Sequence, residues 1–154
     1  DPESDNSGDF KILCESPELN SGNATFDNVL FKNIRSRACL IKGDGVRIEN
    51  CSFYNIGMAA VALNFEPKYG EAGLPSDAII RNNYFEGTGN YEDKKYYSPI
   101  SVDAPAVQGG ENYMNNHNIL IEGNVIRDRY TSHALYVSGT QNFGDKAQCT
   151  GRTV

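Results

Sequence analysis

The sequence is poor in the residues that build metal centres and membrane anchors. It has only two histidines and four cysteines, and Cys14, Cys39, Cys51 and Cys149 show no C-x-x-C spacing. Tetrahedral zinc needs clustered thiolate or imidazole ligands, so no zinc site is expected, nor any other metal or cofactor. No apolar run approaches the ~18 residues of a membrane span. The opening stretch DPESDNSGDF is polar and carries no visible signal peptide. Positive charge is in the minority, with 14 Lys plus Arg against 20 Asp plus Glu. Such an acidic chain is a poor partner for nucleic acid.

What is abundant points to a turn-rich β protein. Fifteen glycines, many asparagines and nine tyrosines suit short strands and tight corners better than helices. One pattern also recurs. VRIENCSFYNIG (Val46–Gly57) returns as AIIRNNYFEGTG from Ala78 and as ILIEGNVIRDR from Ile119, and ATFDNVLFKNI from Ala24 is a looser copy. Aligned, Ala24, Val46, Ala78 and Ile119 form one apolar column, and Phe26, Ile48, Ile80 and Ile121 form a second. A spacing of two residues points both columns the same way on a strand. Phe31, Phe53, Phe85 and Ile126 form a third. Between them stand Asn28, Asn50, Asn82 and Gly123, residue types that take positive φ readily and so predict a left-handed corner. The following column holds Val29, Cys51, Asn83 and Asn124. Its side chains are expected to point inward, with the two asparagines stacked as a short amide ladder.

A second strand follows in each copy: ACLI from Ala38, AVAL from Ala60, PISV from Pro99 and ALYV from Ala134. Its inward positions are all apolar: Cys39 and Ile41, Val61 and Leu63, Ile100 and Val102, Leu135 and Val137. The core is expected to gather these with the columns above. Phe26 to Ile48 spans 22 residues, Ile48 to Ile80 spans 32 and Ile80 to Ile121 spans 41. The excess must lie in loops, since strands cannot lengthen without losing register.

A Greek-key sandwich would not repeat the same turn chemistry. The fold class expected is therefore all-β, a right-handed parallel β-helix of about four coils with loop insertions on one face. One domain is expected over 1–154, with 1–23 as a cap or first partial coil and 139–154 as an unfinished last coil. The chain would then be a candidate fragment of a longer solenoid. Cys39 and Cys51 are read as small buried residues, and a Cys14–Cys149 disulfide is left open.

The insertions are Glu66–Asp77, Asn90–Ser98 and Ala104–His117. They flank one face and carry Tyr69, Tyr91, Tyr96, Tyr97 and Tyr113, whose rings suit sugar surfaces. On the outward side of the second strand, Lys42, Asn64, Asp103 and Ser138 stack in one row, with Tyr136 also outward and Asp44, Glu66 and Glu71 close by. His133 precedes the last of these strands. Glycoside hydrolysis needs two carboxyl groups, one protonated and one ionised. The catalytic candidates are Glu66, Asp103 and Asp44, and the binding candidates are Lys42, Asn64, Glu71, Tyr97, His133, Tyr136 and Ser138.

GVRIENCSFYNIGMAAVAL, the loop with GEAG, DAIIRNNYFEGTGN and PISVDAP together resemble the β-helix core of glycoside hydrolase family 110, over roughly Ala38 to Val137. That resemblance implies a bacterial enzyme that removes terminal α-galactose from glycans with inversion and without a metal. It also implies acidic residues after the second strands, here Asp44, Glu66 and Asp103. At the central position this chain has Asn64-Phe65-Glu66 where paired aspartates would be expected. The implied partner is a glycan or oligosaccharide, and the implied location is secreted, periplasmic or cell-surface. A non-catalytic glycan-binding, adhesin or tailspike-like module is the alternative. A polysaccharide lyase is the third reading, with Lys42 as the one basic residue in the row.

Overall fold

The computed structural model describes residues 22–66, 73–90, 98–103, 116–128, 131 and 133–149. Twelve strands are found among them. They are β1 (Thr25–Asp27), β2 (Leu30–Ile34), β3 (Cys39–Ile41), β4 (Arg47–Glu49), β5 (Ser52–Ile56) and β6 (Val61–Asn64), then β7 (Ile79–Arg81), β8 (Tyr84–Thr88), β9 (Ile100–Asp103), β10 (Asn116–Arg127), β11 (Leu135–Ser138) and β12 (Thr140–Cys149). They stack as three walls. The first runs β1-β4-β7-β10 and the second β2-β5-β8-β10, with β10 passing through the corner between them and β12 pairing onto β10. The third wall runs β3-β6-β9-β11. Every pairing between these strands is parallel, with columns in register as in Phe26↔Ile48↔Ile80↔Ile121, and the one register shift among them falls between Glu122 and Val125 where β10 meets β12. This is the expected parallel β-helix, and it leaves no place for an antiparallel Greek key among the described strands.

The corners follow from backbone sterics. Asn28, Asn50, Asn82 and Gly123 have φ of 56°, 54°, 56° and 64°, the left-handed conformation expected of them. At Gly123 a Cβ would also collide with the Asn82 side-chain oxygen on the coil below. The same chemistry recurs five residues earlier, at Asn23, Gly45, Asp77 and Asn118, and five residues later, at Asn33, Asn55 and Gly87. Side chains at these corners bond from coil to coil. Asn50 Nδ2 donates to Asp27 Oδ1 at 2.7 Å, Asn55 Nδ2 to Asn33 Oδ1 at 2.8 Å and Asn118 Nδ2 to Asp77 Oδ1 at 2.8 Å. Position 128 breaks the later column: Asp128 is aspartate, and its carboxylate accepts from the backbone N–H of Thr88 at 2.9 Å and from the Thr88 hydroxyl.

The interior is a set of ladders. Phe31, Phe53 and Phe85 stack with ring centroids 4.8 Å apart and planes within 3°, so each ring covers the next as the coils rise. Asn83 and Asn124 form the expected amide ladder, both fully buried. Asn83 Nδ2 donates to Asn124 Oδ1 at 3.0 Å and to Ile48 O at 2.9 Å, while Asn83 Oδ1 accepts from Cys51 N–H at 2.8 Å. Cys39 and Cys51 are free and buried, and burial, then the neighbouring Cys51, pushes the Cys39 thiol up to about 12. Cys14 lies outside the described residues, and so does its pairing with Cys149.

The expected core is present except at its two rims: on the first coil Ala24 is exposed and Phe26 and Phe31 are only partly buried. Val46, Ile48, Phe53, Val61, Leu63, Ile80, Phe85, Ile100, Val102, Ile121 and Ile126 form one buried cluster. Leu135 is only partly buried, and Val137 is 37% exposed. Both lie on β11, the last strand of its wall among the described residues, so no described strand of that wall stacks above them. The alternation of β11 is right, but burial needs a neighbour above it.

Candidate functional site

The outer face of the third wall is built from two rows of outward residues. Registers Asn64↔Asp103 and Asp103↔Ser138 confirm the stacking of that row, and Ala62↔Ser101↔Tyr136 form the row two residues earlier. Neighbouring strands in such a wall are about 4.8 Å apart, so consecutive side chains in a row are within reach of one another. Lys42 joins the row through its ammonium, which donates to Asn64 O at 2.6 Å. Ser101 Oγ lies 3.4 Å from Asn64 Oδ1.

Glu66 is the pivot of this face. Its Oε1 is 3.2 Å from Arg37 Nη2, and its Oε2 is 2.9 Å from Lys42 Nζ. Arg37 and Lys42 flank β3 at its two ends, so a carboxylate that meets both lies over the outer face of β3. The ladder with β9 runs on to Phe65, whose N–H donates to Asp103 O at 3.0 Å, and Ala62 and Phe65 are both buried. A second carboxyl group is close. Burial, and then the negative charge of Glu66, push the Asp103 carboxyl above the ordinary aspartate range. Two acids on adjacent rungs are thus unlike. Glu66 is tied to two cations, and Asp103 is held toward its protonated form.

The other candidates fall into three groups. Asp44 is exposed at the following corner, where its backbone carbonyl accepts from Asn23 N–H at 2.7 Å. Among the described residues, no hydrogen bond or ion pair joins its side chain to Glu66 or Asp103. Tyr136 is 43% exposed on the same face, Ser138 closes the row, and His133 is exposed just before β11. Glu71 and Tyr97 lie outside the described residues, as do Tyr69, Tyr91, Tyr96 and Tyr113. Two of the insertions leave the wall at the same end, after Glu66 and after Asp103, while the third rejoins it at Ser98, ahead of β9. Arg37 was not among the expected residues. It stands 29 residues before its partner Glu66, and no local pattern joins them.

The raised Asp103 value has a consequence for stability. A carboxyl whose folded pKa exceeds its unfolded value binds its proton more tightly in the native state. The resulting stabilisation is complete below the ordinary aspartate pKa of about 4 and is lost as pH rises through the raised value. Denaturant unfolding against pH is expected to show this decline in the wild type and its removal in Asp103→Asn, so that above the window the variant is the more stable of the two. Equal pH dependence in the two proteins would show that Asp103 is unperturbed.

Three parallel walls with left-handed corners and coil-to-coil ladders define a parallel β-helix. The family model described as right handed beta helix region matches residues 18–147. The chain belongs to that family. No curated protein and no solved structure matches it. The comparisons support the β-helix and do not extend to glycoside hydrolase family 110.

Proposed function

We propose that the outer face of the third wall acts on glycans, as a glycoside hydrolase in which Asp103 is the acid and Glu66 the ionised partner. The observation that supports this reading is the inequality of the two carboxyl groups. Burial and the Glu66 charge favour the protonated form of Asp103. Glu66 faces two cations. A protonated acid beside an anion is the division that glycosidic cleavage requires: the acid protonates the leaving oxygen, and the carboxylate attacks the anomeric carbon or activates water. Asn64, Ser101, Tyr136 and Ser138 offer hydroxyl and amide groups along the same face, and the Tyr136 ring offers an apolar surface for a pyranose. Terminal α-galactose is the first sugar to test, on the strength of the sequence resemblance. A glycan substrate would place the protein outside the cell or at its surface.

One observation favours a second reading, that of a glycan-binding module without turnover. Both oxygens of Glu66 are engaged by cations, which weakens it as a base or nucleophile. The lyase reading loses ground, because Lys42 Nζ, which would have to be a neutral amine to abstract the proton, donates to Glu66 and to Asn64 O.

Turnover of aryl α-galactosides and of a glycan panel, measured beside equilibrium binding, separates these readings. Asp103→Asn is expected to lower turnover by about 10²- to 10⁴-fold, the usual contribution of a general acid, with circular dichroism unchanged. Binding without turnover in the wild type selects the module. Full activity in both Asp103→Asn and Glu66→Gln would remove the pair from the mechanism.

A further inference from the structure

The second wall carries an outward face that the proposed site does not use. Tyr54 on β5 and Tyr84 on β8 lie diagonally across adjacent rungs, given the registers Ser52↔Tyr84 and Tyr54↔Glu86. Their ring centroids are 5.5 Å apart and their planes meet at 42°. Both rings stand on the solvent side of a wall whose inward residues are Phe53 and Phe85, so neither is needed to fill the core. The hydroxyl of Tyr84 is held in place. It donates to Glu86 Oε2 at 2.6 Å, and this bond is the main reason its proton is held more tightly than in a free tyrosine, with Arg127 acting in the opposite direction.

The charges around the rings have a sign. Lys32, Tyr54, Glu86 and Arg127 form one row across four rungs, which puts the two cations about 14 Å apart at its ends. Lys32, Glu86 and Arg127 are exposed. Two cations oppose one carboxylate, and an oxygen of that carboxylate already accepts from Tyr84. This row therefore carries a formal charge of +1 on a chain whose formal net charge is −6. At physiological salt, charges more than about 8 Å away are largely screened, so a small anionic group meets one cation at a time. Lys32, next to Tyr54 and two rungs from Glu86, is less offset by that carboxylate than Arg127 is. A long polyanion would also cross the acidic surroundings.

We propose that this face is a second carbohydrate site, separate from the Asp103 face, and that it takes a short anionic oligosaccharide. A pyranose ring would lie on Tyr54 and Tyr84, with its apolar C–H face against the rings. Its carboxylate or sulfate group would meet Lys32 or Arg127 in a charge-assisted hydrogen bond. Tyrosine supplies the surface and the cations supply the discrimination between acidic and neutral sugars.

The test is binding of short oligogalacturonides, of a sulfated disaccharide and of neutral galacto-oligosaccharides of matched length, followed by NMR of the intact protein labelled at tyrosine. The expected result is perturbation of Tyr54 and Tyr84 by an acidic oligosaccharide. Affinity should fall at least tenfold in Tyr54→Ala and in the Lys32→Gln, Arg127→Gln double variant, and Asp103→Asn should leave it unchanged. Preference for the sulfated over the uronate ligand, or the reverse, identifies which anionic group is read. Equal affinity for neutral sugars, or perturbation confined to residues around Asp103, would overturn the proposal. Because Asp103→Asn is silent here, failure of this site and failure of the proposed hydrolase are read separately.

Discussion

Truncating Phe53 to alanine is expected to destabilise the protein by about 3–5 kcal/mol, the usual range for removing a buried phenylalanine. Phe53 is fully buried and is the middle ring of the Phe31–Phe53–Phe85 stack. Its loss opens a void between two rings that the backbone ladder holds two rungs apart. Collapse is restricted, because β2, β5 and β8 are fixed in register by their own hydrogen bonds. The cost therefore belongs at the upper part of the range, and Phe53→Leu should recover most of it. Denaturant unfolding of the two variants measures both. A loss below about 1 kcal/mol for the alanine variant would mean that the stack is not a packed core.

Replacing Asn83 is the second large effect, and its mechanism differs. Asn83→Ala removes the acceptor for Cys51 N–H and the donor for Ile48 O, both in the interior. Leaving a buried polar group unpaired costs about 1–3 kcal/mol, so two such groups cost about 2–6 kcal/mol. Asn83→Asp tests the direction of the ladder. The new side chain still accepts from Cys51, but it turns a donor into an acceptor facing Ile48 O and Asn124 Oδ1. That variant should be the less stable near neutral pH and should recover on acidification, since a protonated carboxyl can donate again. Unfolding midpoints at two pH values distinguish the cases, and equal midpoints for Asn83→Asp at both would show that the ladder does not have this polarity.

The ladders were legible in the sequence because each one repeats a single residue type at a fixed place. Three phenylalanines, two asparagines and the Asn28–Asn50–Asn82–Gly123 corner state their environment in their own chemistry. The flanking corners carry the same Asn, Asp and Gly signal five residues away, at Asn23 and Asn33 and on the coils above, and that signal was available to a wider alignment. Val137 and Leu135 misled because alternation shows which way a side chain points and not what lies over it. The site was legible only as a row. Lys42, Asn64, Asp103 and Ser138 followed from strand period, while the reach of Arg37 to Glu66 joins residues 29 apart that no period relates. Asp44 was expected close by the row, and it stands just before the left-handed corner at Gly45.

The corners at every fifth residue also act as a reading frame. From Asn23 to Asn33, from Gly45 to Asn55 and from Asp77 to Gly87, two four-residue spans separate three left-handed residues, whatever the total length of the coil. Adding or deleting one residue within either span would exchange inside for outside and move an ordinary residue into a left-handed corner at the same time. The stretch beyond the third corner obeys no such count, and the growth of the coils from 22 to 32 to 41 residues is accommodated there. Each coil thus divides into a stretch whose length is fixed by backbone geometry and a stretch whose length is free to vary. Evolution can lengthen the loops that border the outer face of the third wall without disturbing the ladder that supports them.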